Sequence, residues 1–122
     1  MALKAHAGRL RVHALACEMA ADAARLARTF RGPGSFERGD QLVRAALSVC
    51  ANIAEACGRG TVREFRQFLL YARGSARETI THLHVAGALD HAHLQAIRAL
   101  ETRVVLISKM ISRLHEHPPP EQ

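Results

Sequence analysis

Apolar residues recur every three or four positions along most of the chain and nowhere alternate with the period of two that a half-buried strand requires. Four such segments predict helices at about residues 7–30, 36–57, 62–87 and 91–116. In the first, Leu10, Ala14, Cys17, Ala21, Ala24 and Ala27 follow the helical spacing, and their small side chains suit a close helix approach. The second places Leu42, Ala46, Val49, Cys50, Ile53 and Cys57 on one side. Opposite them Gln41, Arg44, Ser48, Asn52, Glu55 and Arg59 fall within about 80° at roughly 100° per residue. The third carries Phe65, Phe68, Leu69, Ala72, Ala76, Ile80 and Leu83 on one face. The fourth carries Leu94, Ile97, Leu100, Val104, Ile107, Ile111 and Leu114, and its apolar surface widens through Val105, Leu106 and Met110.

The segments between these helices hold breaking and capping residues. Arg31-Gly32-Pro33-Gly34-Ser35 ends the first helix and opens the second. Gly58 occupies the place of a left-handed C-cap, and Thr61 with Glu64 forms the pattern of a reciprocal capping box. Asp90 is the expected cap of the fourth helix, and His117 followed by three prolines ends it. Connections this short make neighbouring helices antiparallel, so the expected fold is an all-α, up-down-up-down four-helix bundle. It forms one domain over residues 1–117, with an extended, mobile tail at 118–122. The broad apolar surface of the fourth helix leads us to expect a homo-oligomer.

Composition narrows the functional classes. The formal charge is +6, carried by fifteen arginines against two lysines. Seven arginines but only Asp40, Glu55 and Glu64 lie between residues 38 and 77, so most of the excess charge sits on the second and third helices. Guanidinium groups match phosphate oxygens in a planar fork, and such a concentration favours a polyanionic partner. Three cysteines with no C-x-x-C pair make neither a disulfide framework nor a zinc site. We therefore expect a reduced, cytoplasmic protein without a signal peptide or membrane span.

Candidate chemistry is correspondingly sparse. No nucleophile has an evident base, no carboxylates form a catalytic pair, and no glycine-rich loop follows a strand, so no enzyme and no cofactor is expected. The pairs His82/His84, His91/His93 and His115/His117 diverge on a helix and make poor metal ligands. What remains is a basic row: Arg63, Arg66, Arg73, Arg77 and His84 lie within about 80° on the third helix. With Arg59 they form the candidate nucleic-acid-binding set, reading backbone rather than sequence because no aromatic platform interleaves them. The same row would also serve as a solvated face, or as subunit contacts to Glu55, Glu64 and Glu78. Arg44, Ser48, Asn52, Glu55 and Glu78 are candidates for packing or subunit contacts, Asn52 because an amide is costly to bury without partners.

Laid out in order, these residues resemble a bacterial family. The resemblance rests on Gln41-Leu42-Val43-Arg44-Ala45-Ala46, Ser48, Asn52-Ile53-Ala54-Glu55, Gly58-Arg59, Glu64-Phe65, Phe68-Leu69, Ala72-Arg73-Gly74-Ser75 and Glu78. It is similar to the four-helix-bundle family named after proteins encoded in 23S rRNA intervening sequences. Relatives there include the accessory variability determinant (Avd) of diversity-generating retroelements. Cys50 and Ala56 stand where that family usually has Pro and Gly. The resemblance implies a non-enzymatic protein assembling into a ring, commonly a pentamer. In the Avd relatives, that ring binds RNA or DNA and associates with a reverse transcriptase. The alternative is an oligomeric scaffold that docks a protein and never touches nucleic acid.

Overall fold

Residues 10–120 are described by a computed structural model, and within them all four periodic segments are helical and no strand occurs. The helices are α1 (Arg11–Ala27), α2 (Ser35–Cys57), α3 (Val62–Leu89) and α4 (Leu94–Glu116). Each packs on its neighbours in the chain, and α1 also packs on α4, enclosing one core. Leu42, Val49, Ile53, Phe65, Leu69, Leu83, Ile97, Ile107 and Ile111 are sealed within it. Burying each such side chain is worth about 1.5–3 kcal/mol relative to leaving it in water, which is what holds helices of modest intrinsic stability in place.

The face of α1 differs from the expected one. Val12, Ala16, Met19, Ala20, Ala23 and Leu26 are buried, whereas Ala14, Cys17 and Ala21 are exposed. In an alanine-rich helix several stripes look equally apolar. Three large side chains at spacings of seven (Val12, Met19 and Leu26) decide which stripe turns inward, because they alone bring substantial area to the core. Residue 10 is an extended N-cap, and α1 ends at Ala27 rather than near residue 30. Residues 1–9 and 121–122, which include the expected start of the first helix and the end of the tail, lie outside the described residues.

The turns follow from a few side chains. Gly32 and Gly34 take positive φ values of 86° and 73°, conformations that cost a side-chain-bearing residue about 1–2 kcal/mol. Phe30 is buried, the Arg38 guanidinium lies 5.3 Å above its ring, and Arg38 Nη2 donates to the Arg31 carbonyl, folding the connection onto α2. Gly58 closes α2 in a right-handed conformation (φ −84°), with its N–H donating to Glu55, so the expected left-handed cap is replaced by a tighter final turn. Thr61 Oγ1 accepts from the Glu64 N–H at 3.2 Å. The Glu64 carboxylate in turn accepts from the Thr61 hydroxyl at 3.0 Å. Asp90 ends α3 instead of capping α4. Its carboxylate accepts the His93 N–H and ring N, at 3.2 Å and 2.8 Å, and His93 becomes the N-cap residue. Charge-assisted bonding to His93 holds the Asp90 carboxyl below its ordinary range.

Candidate nucleic-acid interface

α3 is the helix on which the basic residues converge, and its two flanks do different work. On the α2 side the contacts are neutral. Asn52 Nδ2 donates to the Ser48 carbonyl at 2.9 Å and to Ser48 Oγ at 3.0 Å. Ser48 Oγ meets Ser75 Oγ at 2.8 Å, and Ser75 Oγ donates to the Tyr71 carbonyl at 3.1 Å. A hydroxyl carries one proton, so Ser75 spends its own on Tyr71 and must accept from Ser48. Thr79, fully buried, donates to the Ser75 carbonyl at 2.7 Å. Ser48 and Asn52 thus lie at the α2–α3 seam, with their polar atoms joined in one directed chain.

Arg59 sits at the end of that seam. Its guanidinium pairs with Glu55, lies 4.0 Å from Glu64, and stacks 4.3 Å above the Phe68 ring. Two carboxylates and an aromatic face consume most of what an arginine offers. Of the five candidate contacts, Arg59 is therefore the one most committed to the protein's own turn.

On the α4 side the cations reach across. Arg66 Nε donates to the His115 carbonyl at 2.9 Å, satisfying one of the oxygens that a helix C-terminus leaves without a partner. Arg73 Nη1 donates to Ser112 Oγ at 3.3 Å. Each uses one donor, leaving most of the fork available. Arg63 and Arg77 are exposed and make no side-chain hydrogen bond or ion pair among the described residues. From Arg63 to Arg77 the row extends about 21 Å along the helix. Glu78, next to Arg77 in sequence, is 3.8 Å from His82. His84, at the far end, pairs with Glu101 on α4 at 3.1 Å. Arg44 lies apart on α2, paired with Asp40 at 2.9 Å.

Two further cations, which periodicity along a single helix did not single out, lie on α4 near the point where Arg73 reaches it. Lys109 and Arg113 flank Ser112, the partner of Arg73, and line a shallow groove with Ser108 and Glu116. Both are exposed without an ion pair among the described residues. Arg113 also borders a second groove, with Leu10, Arg11 and Val12 at the start of α1. On the opposite side of the bundle, Arg103 is taken by Asp22, at 2.6 Å across α4 and α1. That hydrogen bond outweighs the desolvation that would raise the Asp22 carboxyl, and holds it below its ordinary value.

Among the described residues no group of three or more His, Cys, Asp or Glu side chains is arranged to hold a metal ion. No helix there is long and apolar enough to cross a membrane. What the site presents is fixed positive charge along one face of α3. A comparison with curated proteins finds no match. The family model described as 23S rRNA-intervening sequence protein matches residues 8–113, the length of the bundle, and the chain belongs to that family.

Proposed function

We propose that this protein is a non-enzymatic, RNA-associated accessory factor that holds the nucleic-acid backbone against its α3–α4 face. The observation that carries this reading is the row of Arg63, Arg66, Arg73 and Arg77, in which two guanidinium groups are unengaged and two are only partly engaged. Lys109 and Arg113 broaden it into a strip. Such a strip contacts successive phosphates without reading bases, and each contact releases counterions. Arg59 contributes by fixing the α2–α3 turn, and the Asn52–Ser48–Ser75 chain by fixing the tilt of α3.

The up-down-up-down course of the helices and their assembly into a ring, a pentamer by resemblance, belong to the same proposal. Cross-helix pairs support the first: Arg66 meets residue 115, Arg73 residue 112 and His84 residue 101, so one number falls as the other rises. Exposed Val105 and Leu106 on α4 support the second, since a subunit contact would cover them. A ring would multiply weak backbone contacts into useful avidity. A reverse transcriptase as partner rests on the resemblance to the Avd relatives alone.

Light scattering together with RNA and DNA titrations at several salt concentrations tests this reading. It expects an oligomer whose affinity falls steeply as salt rises. An oligomer that binds neither polymer at low salt overturns it. The second reading, a protein-docking scaffold, would then lead. Phe36 favours it, standing 90% exposed at the lip of a groove lined by Ala24, Ala27, Gly39 and Val43.

A further inference from the structure

The α1–α2 seam is built from small side chains, and it brings two thiols together. A Cβ added at Gly39 would stand 3.3 Å from the Ala27 Cβ, so the two backbones approach closely there. Ala24 and Val43 line one groove across this seam; seven residues before Ala24 is Cys17, and seven after Val43 is Cys50. Seven residues rise about 10.5 Å and end within about 20° of two full turns, so the same two helix faces meet at the same level of the seam. Besides burial, the neighbouring Cys17 thiol adds to what pushes the Cys50 thiol up. Ala16 and Ala20, buried on α1 near Cys17, and Ala46, buried on α2 one turn before Cys50, are small side chains that let two packed helices approach closely.

The two thiols differ in their surroundings. Cys17 is exposed, and its Sγ is 3.6 Å from His13 Nε2, one turn earlier on the same helix. Cys50 is half-buried, and its S–H points to the Leu47 carbonyl at 3.1 Å. Burial is the main cause that pushes the Cys50 thiol up, keeping it protonated. An exposed cysteine beside an imidazole, with a protected second thiol within reach, is the arrangement of an attacking and a resolving cysteine.

We propose that Cys17 and Cys50 form a dithiol oxidised by hydroperoxides to an intramolecular disulfide that staples α1 to α2. His13 takes the Cys17 proton, and the thiolate attacks the peroxide. A sulfur–oxygen bond forms, the O–O bond breaks, and the leaving oxygen departs with a proton as an alcohol, or as water from hydrogen peroxide. The Cys50 sulfur then attacks the Cys17 sulfenic acid. The S–S bond forms, the S–O bond breaks, and hydroxide leaves with the Cys50 proton as water. Two thiols are oxidised by two electrons, and one peroxide is reduced. Cys57, two turns further along α2, takes no part.

The test is to treat the reduced, folded wild-type protein with hydrogen peroxide and follow intact mass, with tandem fragmentation to locate any bridge. The proposal expects a monomer lighter by two hydrogens, a bridge from Cys17 to Cys50, and Cys57 still open to alkylation. Cys57→Ser should leave the rate of bridging unchanged, and His13→Asn should lower it at least threefold. A bridge to Cys57, intermolecular disulfides alone, or over-oxidised Cys17 with Cys50 still alkylatable would overturn it. The wild-type measurement needs no variant to fold.

Discussion

The amide of Asn52 begins a chain of hydrogen bonds that crosses from α2 to α3 and ends on the Tyr71 carbonyl. Removing its middle member should leave the half-buried Ser48 hydroxyl without its acceptor across the seam. Ser75→Ala is expected to cost about 1–2 kcal/mol, read as a lower urea midpoint with an unchanged slope. The need for such partners was legible in the sequence, because an asparagine among apolar neighbours demands them. The identity of Ser75 was not, since it lies 27 positions away and only the register of α2 on α3 selects it. Asp22 offers a second residue-scale prediction. Its carboxyl is held below the ordinary value, so its pairing with Arg103 stabilises the fold above that value and is lost as pH falls through the lowered one. Asp22→Asn should therefore lower the melting temperature slightly at pH 7, by an amount on the order of 0.5 kcal/mol for so exposed a pair. The difference from wild type should shrink progressively below about pH 4, the ordinary carboxylate range.

Two helix glycines of opposite kind show what packing does to an element. Gly74 on α3 is exposed, and a Cβ there meets nothing within 4 Å; Gly39 on α2 is buried against Ala27. Gly74→Ala should stabilise the protein by about 0.5–1 kcal/mol, and Gly39→Val should destabilise it by about 1–3 kcal/mol, both measurable by thermal unfolding. Sequence periodicity located α2, α3 and α4 to within three residues at each end, because caps, glycines and large apolar side chains agree there. The buried face of α1 escaped it, because Ala14, Cys17 and Ala21 look as apolar as Ala16, Ala20 and Ala23 until something must fill the core. The misplaced cap at Asp90 has a similar origin. Asp90 closes α3 with its backbone N–H, donated to the Ala86 carbonyl, while its carboxylate bridges to His93 at the start of α4.

Across the molecule, charge is segregated by use. On α1 and α4, Asp22 engages both Arg25 and Arg103; at the α2–α3 turn, Glu55 and Glu64 enclose Arg59. The α3–α4 face keeps its excess. The basic row was legible from helical spacing alone. Its division into engaged and unengaged members was not, because that depends on which carbonyl or hydroxyl of α4 comes alongside. The central claim, that unengaged cations on this face hold nucleic-acid phosphates, is tested most directly by the salt dependence of RNA binding in wild type and in Arg63→Ala/Arg77→Ala. Neither side chain has an internal partner among the described residues, so the fold should persist. The account predicts weaker binding at every salt concentration and a log–log salt slope reduced by about one for each contact removed. An unchanged affinity and slope, in a variant of wild-type stability and size, would contradict it.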